Sequence, residues 1–144
     1  MFKSIVVGTD GSQPANEAVQ RAADLAKLCG ASLHIVTAYK PISELVFNPE
    51  ALPIDIGSMV DPQRDATDIC EAVGNKISTE GVSVHTHACP GNAADALVEV
   101  AEREKADLIV VGNRGMKGKR RVLGSVPNSV SHHAPCTVMI VSTS

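Results

Sequence analysis

The feature that most limits what this chain can fold into is an alternation of short β-branched runs with longer segments in helical period. Residues 4–7, 108–111 and 137–141 are apolar runs of strand length, rich in Val and Ile. That is the pattern of strands buried on both faces. Residues 32–38 read as a further strand, and 82–88 alternate as a half-buried strand does. Between these runs the apolar positions change period. Ala15, Ala18, Val19, Ala22, Ala23, Leu25 and Ala26 lie on one helical face, as do Ala66, Ile69, Cys70, Val73 and Ile77, and residues 93–101 form a third such face. A fourth, shorter helix is predicted over 125–133, stopped by Ala134-Pro135. Five strands interleaved with four helices predict a three-layer α/β sandwich around a five-stranded, mainly parallel sheet. The first 40 residues form a β-α-β unit, for which a right-handed crossover is expected. One domain spanning residues 1–144 accounts for the whole pattern.

Local signals sharpen some boundaries. Ser12 with Pro14 starts the first helix and Gly30 stops it. Gly81 is placed to stop the second helix, in whose middle Gly74 is a weak point. Residues 41–61 break the alternation with Pro41, Asn48, Pro49, Pro53 and Gly57. They read as a long surface loop with a short helical turn, whose apolar residues favour a covering or dimer-contact role.

Composition removes several function classes. Aromatic residues make up 2% of the chain, Trp is absent and the net charge is −3, so neither the stacking platforms nor the basic field of a nucleic-acid binder is expected. No apolar run approaches the ~20 residues of a membrane span, and the N-terminal residues carry no signal-peptide pattern. A cytoplasmic protein is expected, with Cys29, Cys70, Cys89 and Cys136 as reduced packing residues.

The chemistry concentrates in residues 108–130, where an apolar strand runs into a loop with glycines at 112, 115, 118 and 124 and then into the helix-starting types Ser125, Pro127 and Asn128. Glycine lets backbone approach a ligand, and the unpaired N–H groups of a first helical turn suit an anion. The same loop carries Arg114, Lys117, Lys119, Arg120 and Arg121. Phosphate is the ligand this combination fits, although the basic cluster also reads as a solvated loop balancing an acidic protein. In an open parallel sheet the ligand lies beyond the carboxyl ends of the strands, where strand order reverses. Asp10 follows the first strand and Gly112 the fourth, so both face one crevice if those strands are neighbours. Asp10 then suits a ribose hydroxyl or a phosphate-bound Mg²⁺, and otherwise an Asx-turn or helix cap. The loop is not a P-loop, because Gly118-Lys119 is followed by Arg120 and Asn113 stands at the earlier glycine position. Residues 8–11 give no dinucleotide-binding fingerprint, which argues against a dehydrogenase.

Gly112-x-x-Gly115 followed by Gly124-Ser125, with Val7-Gly8-Thr9-Asp10-Gly11-Ser12 before it and Ser129-Val130 and Ala134-Pro135-Cys136-x-Val138 after it, resembles the universal stress protein family over essentially the whole chain. The resemblance implies a Rossmann-like α/β fold and, in the ATP-binding branch, an adenine nucleotide. On this resemblance Gly112, Gly115, Gly124 and Ser125 match phosphate and ribose contacts, and Val126 follows in the motif. Asp10 beside Thr9 matches the acidic residue at the nucleoside, and Ala38 falls where backbone meets adenine. Asn113 and Arg114 lie inside the motif. A homodimer through the C-terminal strand is implied as well, and with an adenine nucleotide the Mg²⁺ held through its phosphates is expected at Asp10. One departure stands: eight residues (116–123) separate Gly115 from Gly124, where the branch has nine. A tighter loop suits a smaller ligand, and some members of the family resemble cyclic-nucleotide binders.

Three functions follow. The first is a stress-response regulator that binds ATP or a related adenine nucleotide and hydrolyses it weakly or not at all. The second is a slow ATPase, for which no carboxylate beyond Asp10 is apparent near the loop. The third is a nucleotide-free dimeric interaction protein. His85 and His87 share a strand face but lack a third metal ligand by spacing, so packing or exposure is expected for them. His132-His133 falls at a helix end, where a cation is favoured.

Overall fold

The computed structural model describes residues 1–42, 61–113 and 125–143. Its elements alternate along the chain: β1 (Ser4–Gly8), α1 (Gln13–Cys29), β2 (Ser32–Tyr39), α2 (Pro62–Ser78), β3 (Ser83–Pro90), α3 (Ala93–Arg103), β4 (Leu108–Gly112), α4 (Ser125–His133) and β5 (Thr137–Val141). These are the five strands and four helices that the periodicity predicts. Most of the interrupted segment after β2, residues 43–60, lies outside the described residues. Among the described residues no helix is long and apolar enough to cross a membrane.

The caps explain where the helices begin. Ser12, in extended conformation, accepts from Ala15 N at 3.4 Å and opens α1, with Pro14 in the first turn. Asp61 does the same for α2 through Arg64 N at 3.1 Å, and Asn92 for α3 through Asp95 N at 2.9 Å. Each side chain satisfies an amide that the first helical turn leaves without a backbone partner. Gly30 closes α1 at φ 70°, a left-handed conformation that glycine adopts without Cβ strain. The largest boundary difference is at β3, which continues to Pro90 instead of turning there. Pro90 pairs with Tyr39 on an edge strand, where a missing N–H is tolerated.

All strand pairs are parallel, in the order β3-β2-β1-β4-β5. The chain therefore winds outward from β1 in one direction through β2 and β3, then returns to β1's other side for β4 and β5. Alternate residues of the central strands feed two cores. Ile5, Val7, Leu33, Ile35, Leu108 and Val110 pack under the alanine-rich face of α1 and under α2. Val6, Val36, Ile109 and Val111 pack against Ala96, Leu97, Val100 and Ala101 of α3 and Val130 of α4. Burial on both faces is why these strands read as continuous apolar runs.

One polar contact and one close approach hold the frame. The Asp107 carboxylate accepts from Lys3 N at 2.9 Å and Ser4 N at 3.1 Å, joining the entrances of β4 and β1. Burial raises its pKa, but the Lys3 and Ser4 amides outweigh that effect and hold it below the usual carboxylate range. Gly74, the weak point in α2, is explained by close approach to β3. A Cβ there would lie 2.7 Å from Thr86 Cγ2 and 3.3 Å from Val84 Cγ1. Gly74→Ala should therefore destabilise the protein by about 1–3 kcal/mol through overpacking, despite alanine's better helix propensity. Adding Thr86→Ser, which removes the obstructing methyl, should recover most of the loss in urea unfolding.

Candidate functional site

The sheet order reverses between β1 and β4, and their carboxyl ends open into a cavity of about 410 Å³. That volume lies in the range of small-molecule sites. Six elements of the fold contribute. Gly8, Thr9 and Asp10 leave β1, Val36 and Ala38 end β2, and Val111 and Gly112 end β4. Ser12, Pro14, Ala15 and Ala18 come from the start of α1, Ala93 and Leu97 from α3, and Ser125, Val126 and Pro127 from the start of α4. Thr143, in the tail after β5, completes the lining among the described residues. The wall is thus largely aliphatic and backbone, with a few hydroxyls and one carboxylate. Such a lining suits a small molecule with a largely apolar body oriented by a few polar contacts.

The turn after β1 is held rigidly. Thr9 is buried, its N–H donates to Val36 O at 2.9 Å, and its carbonyl accepts from the Thr37 hydroxyl at 2.9 Å. Gly11 N donates to Thr9 Oγ1 at 3.0 Å and Ser12 N to Asp10 Oδ1 at 2.9 Å. Asp10 therefore makes the Asx-type turn contact foreseen for it while it also lines the cavity.

Of the residues singled out from sequence, Thr9, Asp10, Ala38, Gly112, Ser125 and Val126 come together on this one cavity. Arg114, Gly115, Gly124 and the basic cluster at 117–121 lie outside the described residues. Asn113 stands next to the cavity with its side chain engaged elsewhere. Its Oδ1 accepts from Thr143 N at 2.8 Å and Thr143 Oγ1 at 2.9 Å, which fixes the tail against the site. Thr37, Leu97 and Thr143 had no local signal, because their relation to the site arises only from tertiary packing.

The histidines lie away from the cavity. His85 and His87 share the sheet face covered by α3, as their spacing implies, and His34 of β2 joins them. His34 Nδ1 and His87 Nε2 are 2.9 Å apart. Burial, followed by the charges of neighbouring histidines, lowers the pKa of His34; burial and the Arg103 guanidinium lower that of His87. His132 and His133 end α4, where His133 Nδ1 lies 2.9 Å from Ser129 O.

Residues 1–142 match the Universal stress protein family. The chain belongs to the universal stress protein family. A Mycobacterium tuberculosis universal stress protein (strain H37Rv) is 39% identical, covering 99% of this chain and 97% of its own length. One from Methanocaldococcus jannaschii is 33% identical over 98% of this chain and 82% of its own length. Among solved structures, a universal stress protein in complex with cAMP superposes with a TM-score of 0.77 at 33% identity, over 99% of both chains. An Archaeoglobus fulgidus family member in complex with dAMP shares the fold, with a TM-score of 0.68 at 22% identity.

The locked turn after β1 gives a direct test. Thr37→Val in this universal stress protein family member keeps the side-chain shape but leaves the buried Thr9 carbonyl without its hydroxyl donor. It should cost about 1–3 kcal/mol of stability in denaturant unfolding, the penalty of an unsatisfied buried acceptor.

Proposed function

We propose that residues 1–144 act as one nucleotide-binding domain, a stress-response regulator that holds an adenine nucleotide in the cavity between β1 and β4. The observation that carries this reading is the convergence of Asp10 and Gly112 on one aliphatic-walled cavity at the sheet's reversal point. The cAMP complex of a family member 33% identical to this chain supports it. In this reading Ala38 and Val36 face the base, and Thr9 and Asp10 meet the ribose or a phosphate-bound Mg²⁺. Gly112 and the α4 start at Ser125-Val126 receive the phosphates. The residues fit such a ligand. Gly112 is not in a left-handed conformation, and a Cβ there would sit 3.5 Å from Thr143 Cγ2 and 3.9 Å from Ala18 Cβ. Both neighbours line the cavity, so glycine at this position keeps space for the ligand open.

ATP is the first choice of nucleotide, because the glycines at 112, 115 and 124 and the basic residues among 114–121 suit a polyphosphate. Cyclic AMP is the second reading, supported by the cAMP-bound family member and by the eight-residue spacing between Gly115 and Gly124. The carboxylate inventory favours binding over hydrolysis, since Asp10 is the one acidic residue lining the cavity among the described residues. A homodimer through β5 fits the same reading. β5 is an edge strand whose Met139 and Ile140 are 39% and 41% exposed, and such an edge offers unpaired backbone to a second copy.

Calorimetric titration with ATP, ADP, AMP and cyclic AMP, with and without Mg²⁺, tests the assignment. Gly112→Val, whose branches would grow into the cavity, should fold normally and weaken binding by about 10–100-fold, equivalent to 1–3 kcal/mol of overpacking. Unchanged affinity in that variant would refute the site. Ile140→Lys should convert the dimer to monomer in light scattering without altering nucleotide affinity.

A further inference from the structure

A second polar cluster, none of whose residues lines the cavity between β1 and β4, lies beneath the C-terminal end of α3. Strand register sets His34 beside His85 and Val36 beside His87, so three imidazoles occupy neighbouring positions on one face of β2 and β3. His34 is only 6% exposed. Its ring stacks on His85 at 4.9 Å between centroids and on His87 at 5.2 Å. The neighbouring Val6, Val36 and Cys89 on this face are apolar and pack under α3. A core position under an alanine- and valine-lined helix has no packing need for imidazole, and burying one requires a polar partner. Here the partner is another imidazole, at a contact of 2.9 Å. The end of α3 adds Glu104, whose carboxylate offers an oxygen within 4.8 Å of one ring nitrogen of His34 and one of His87. Its side chain is 36% exposed, which leaves it free to swing.

We propose that His34 Nδ1, His87 Nε2 and the Glu104 carboxylate form a binding site for a divalent first-row transition ion, with Zn²⁺ the best match. Two imidazoles and one carboxylate are a zinc donor set that leaves a fourth position for water. Tetrahedral coordination at Zn–N distances of about 2.0–2.1 Å places two ligand nitrogens roughly 3.3 Å apart. The histidine pair therefore has to open by only a few tenths of an ångström, and Glu104 closes the third side.

Arg103 opposes the ion. Its guanidinium nitrogen lies 3.2 Å from His87 Nδ1, and its Nε is 3.6 Å from Glu104 Oε1. Guanidinium only donates, so without metal His87 accepts at Nδ1 and carries its proton on Nε2, which points at His34 Nδ1. Metal binding at Nε2 moves that proton to Nδ1, with no net release. Arg103 must then turn away from the ring, so it acts as a positive gate on the site.

The test uses the full chain, purified with chelator and titrated with ZnCl₂. One equivalent should bind, and X-ray absorption of the loaded protein should show nitrogen and oxygen neighbours at about 2.0–2.1 Å. Glu104→Gln and His87→Asn each remove a ligand, so each should weaken binding by more than the about 10–100-fold that loss of outer-shell support alone costs. Arg103→Gln, which removes the competing donor and charge, should tighten binding by about tenfold. Glu104 is at the surface, so its variant remains decisive if the His87 variant folds poorly. A sulfur shell near 2.3 Å, which would place the ion on the cysteines, overturns the proposal. So does Zn²⁺ affinity that is unchanged in Glu104→Gln, or that is lost instead in His132→Ala/His133→Ala.

Discussion

Parallel pairing of β1 with β2 on one side and β4 on the other is the constraint from which the site follows. Because both neighbours run in the same direction as β1, their carboxyl ends emerge at one edge of the sheet. Because the connections leave β1 and β4 toward opposite faces, that edge parts between them. Asp107 reinforces the pairing at the far end by taking the Lys3 and Ser4 amides. At the near end, the Thr37 hydroxyl and the Val36 carbonyl hold Thr9 in place. The crevice is therefore a consequence of strand order, and the residues around it are fixed by bonds that need no ligand.

The protein separates its two polar regions by sheet edge and by layer. The cavity between β1 and β4 has mostly aliphatic walls, with polar groups confined to the turns that enter it. The histidine cluster lies instead between sheet and helix, where α3 ends over β2 and the edge strand β3. Each region uses the same helix differently: Ala93 and Leu97 near the start of α3 wall the cavity, while Arg103 and Glu104 at its end close over the imidazoles. An ion at the second region would thus act on the opposite end of an element that borders the first.

Much of the architecture was legible from local pattern. The switch between strand and helical periodicity located the nine elements of the described residues, since burial on two faces, one face or a helical stripe leaves distinct spacings. Ser12, Pro14 and Gly30 marked the ends of α1 because capping is local chemistry. Pro90 was misplaced into a turn because proline punctuates a chain in general; its tolerance here depends on β3 being an edge strand. Gly74 read as a weakness, and it is a packing requirement set by Thr86 across the layer. The pairing of Asp10 with Gly112 was conditional on strands one and four being neighbours, and only the sheet order met that condition.

What the sequence alone determined was the kind of protein: an α/β fold of alternating elements, a glycine-rich segment after the fourth strand, and membership in a family recognised by those motifs. These are properties of neighbours in the chain, where period, capping and backbone freedom act. The tertiary structure decided which distant residues meet. It set Thr143 against Asn113, carried Thr37 under Thr9, and placed His34 opposite His87 with Glu104 above them. Such contacts depend on strand order and on the register of β2 against β3. Those are fixed by packing the whole sheet between its helices, and no single segment encodes them.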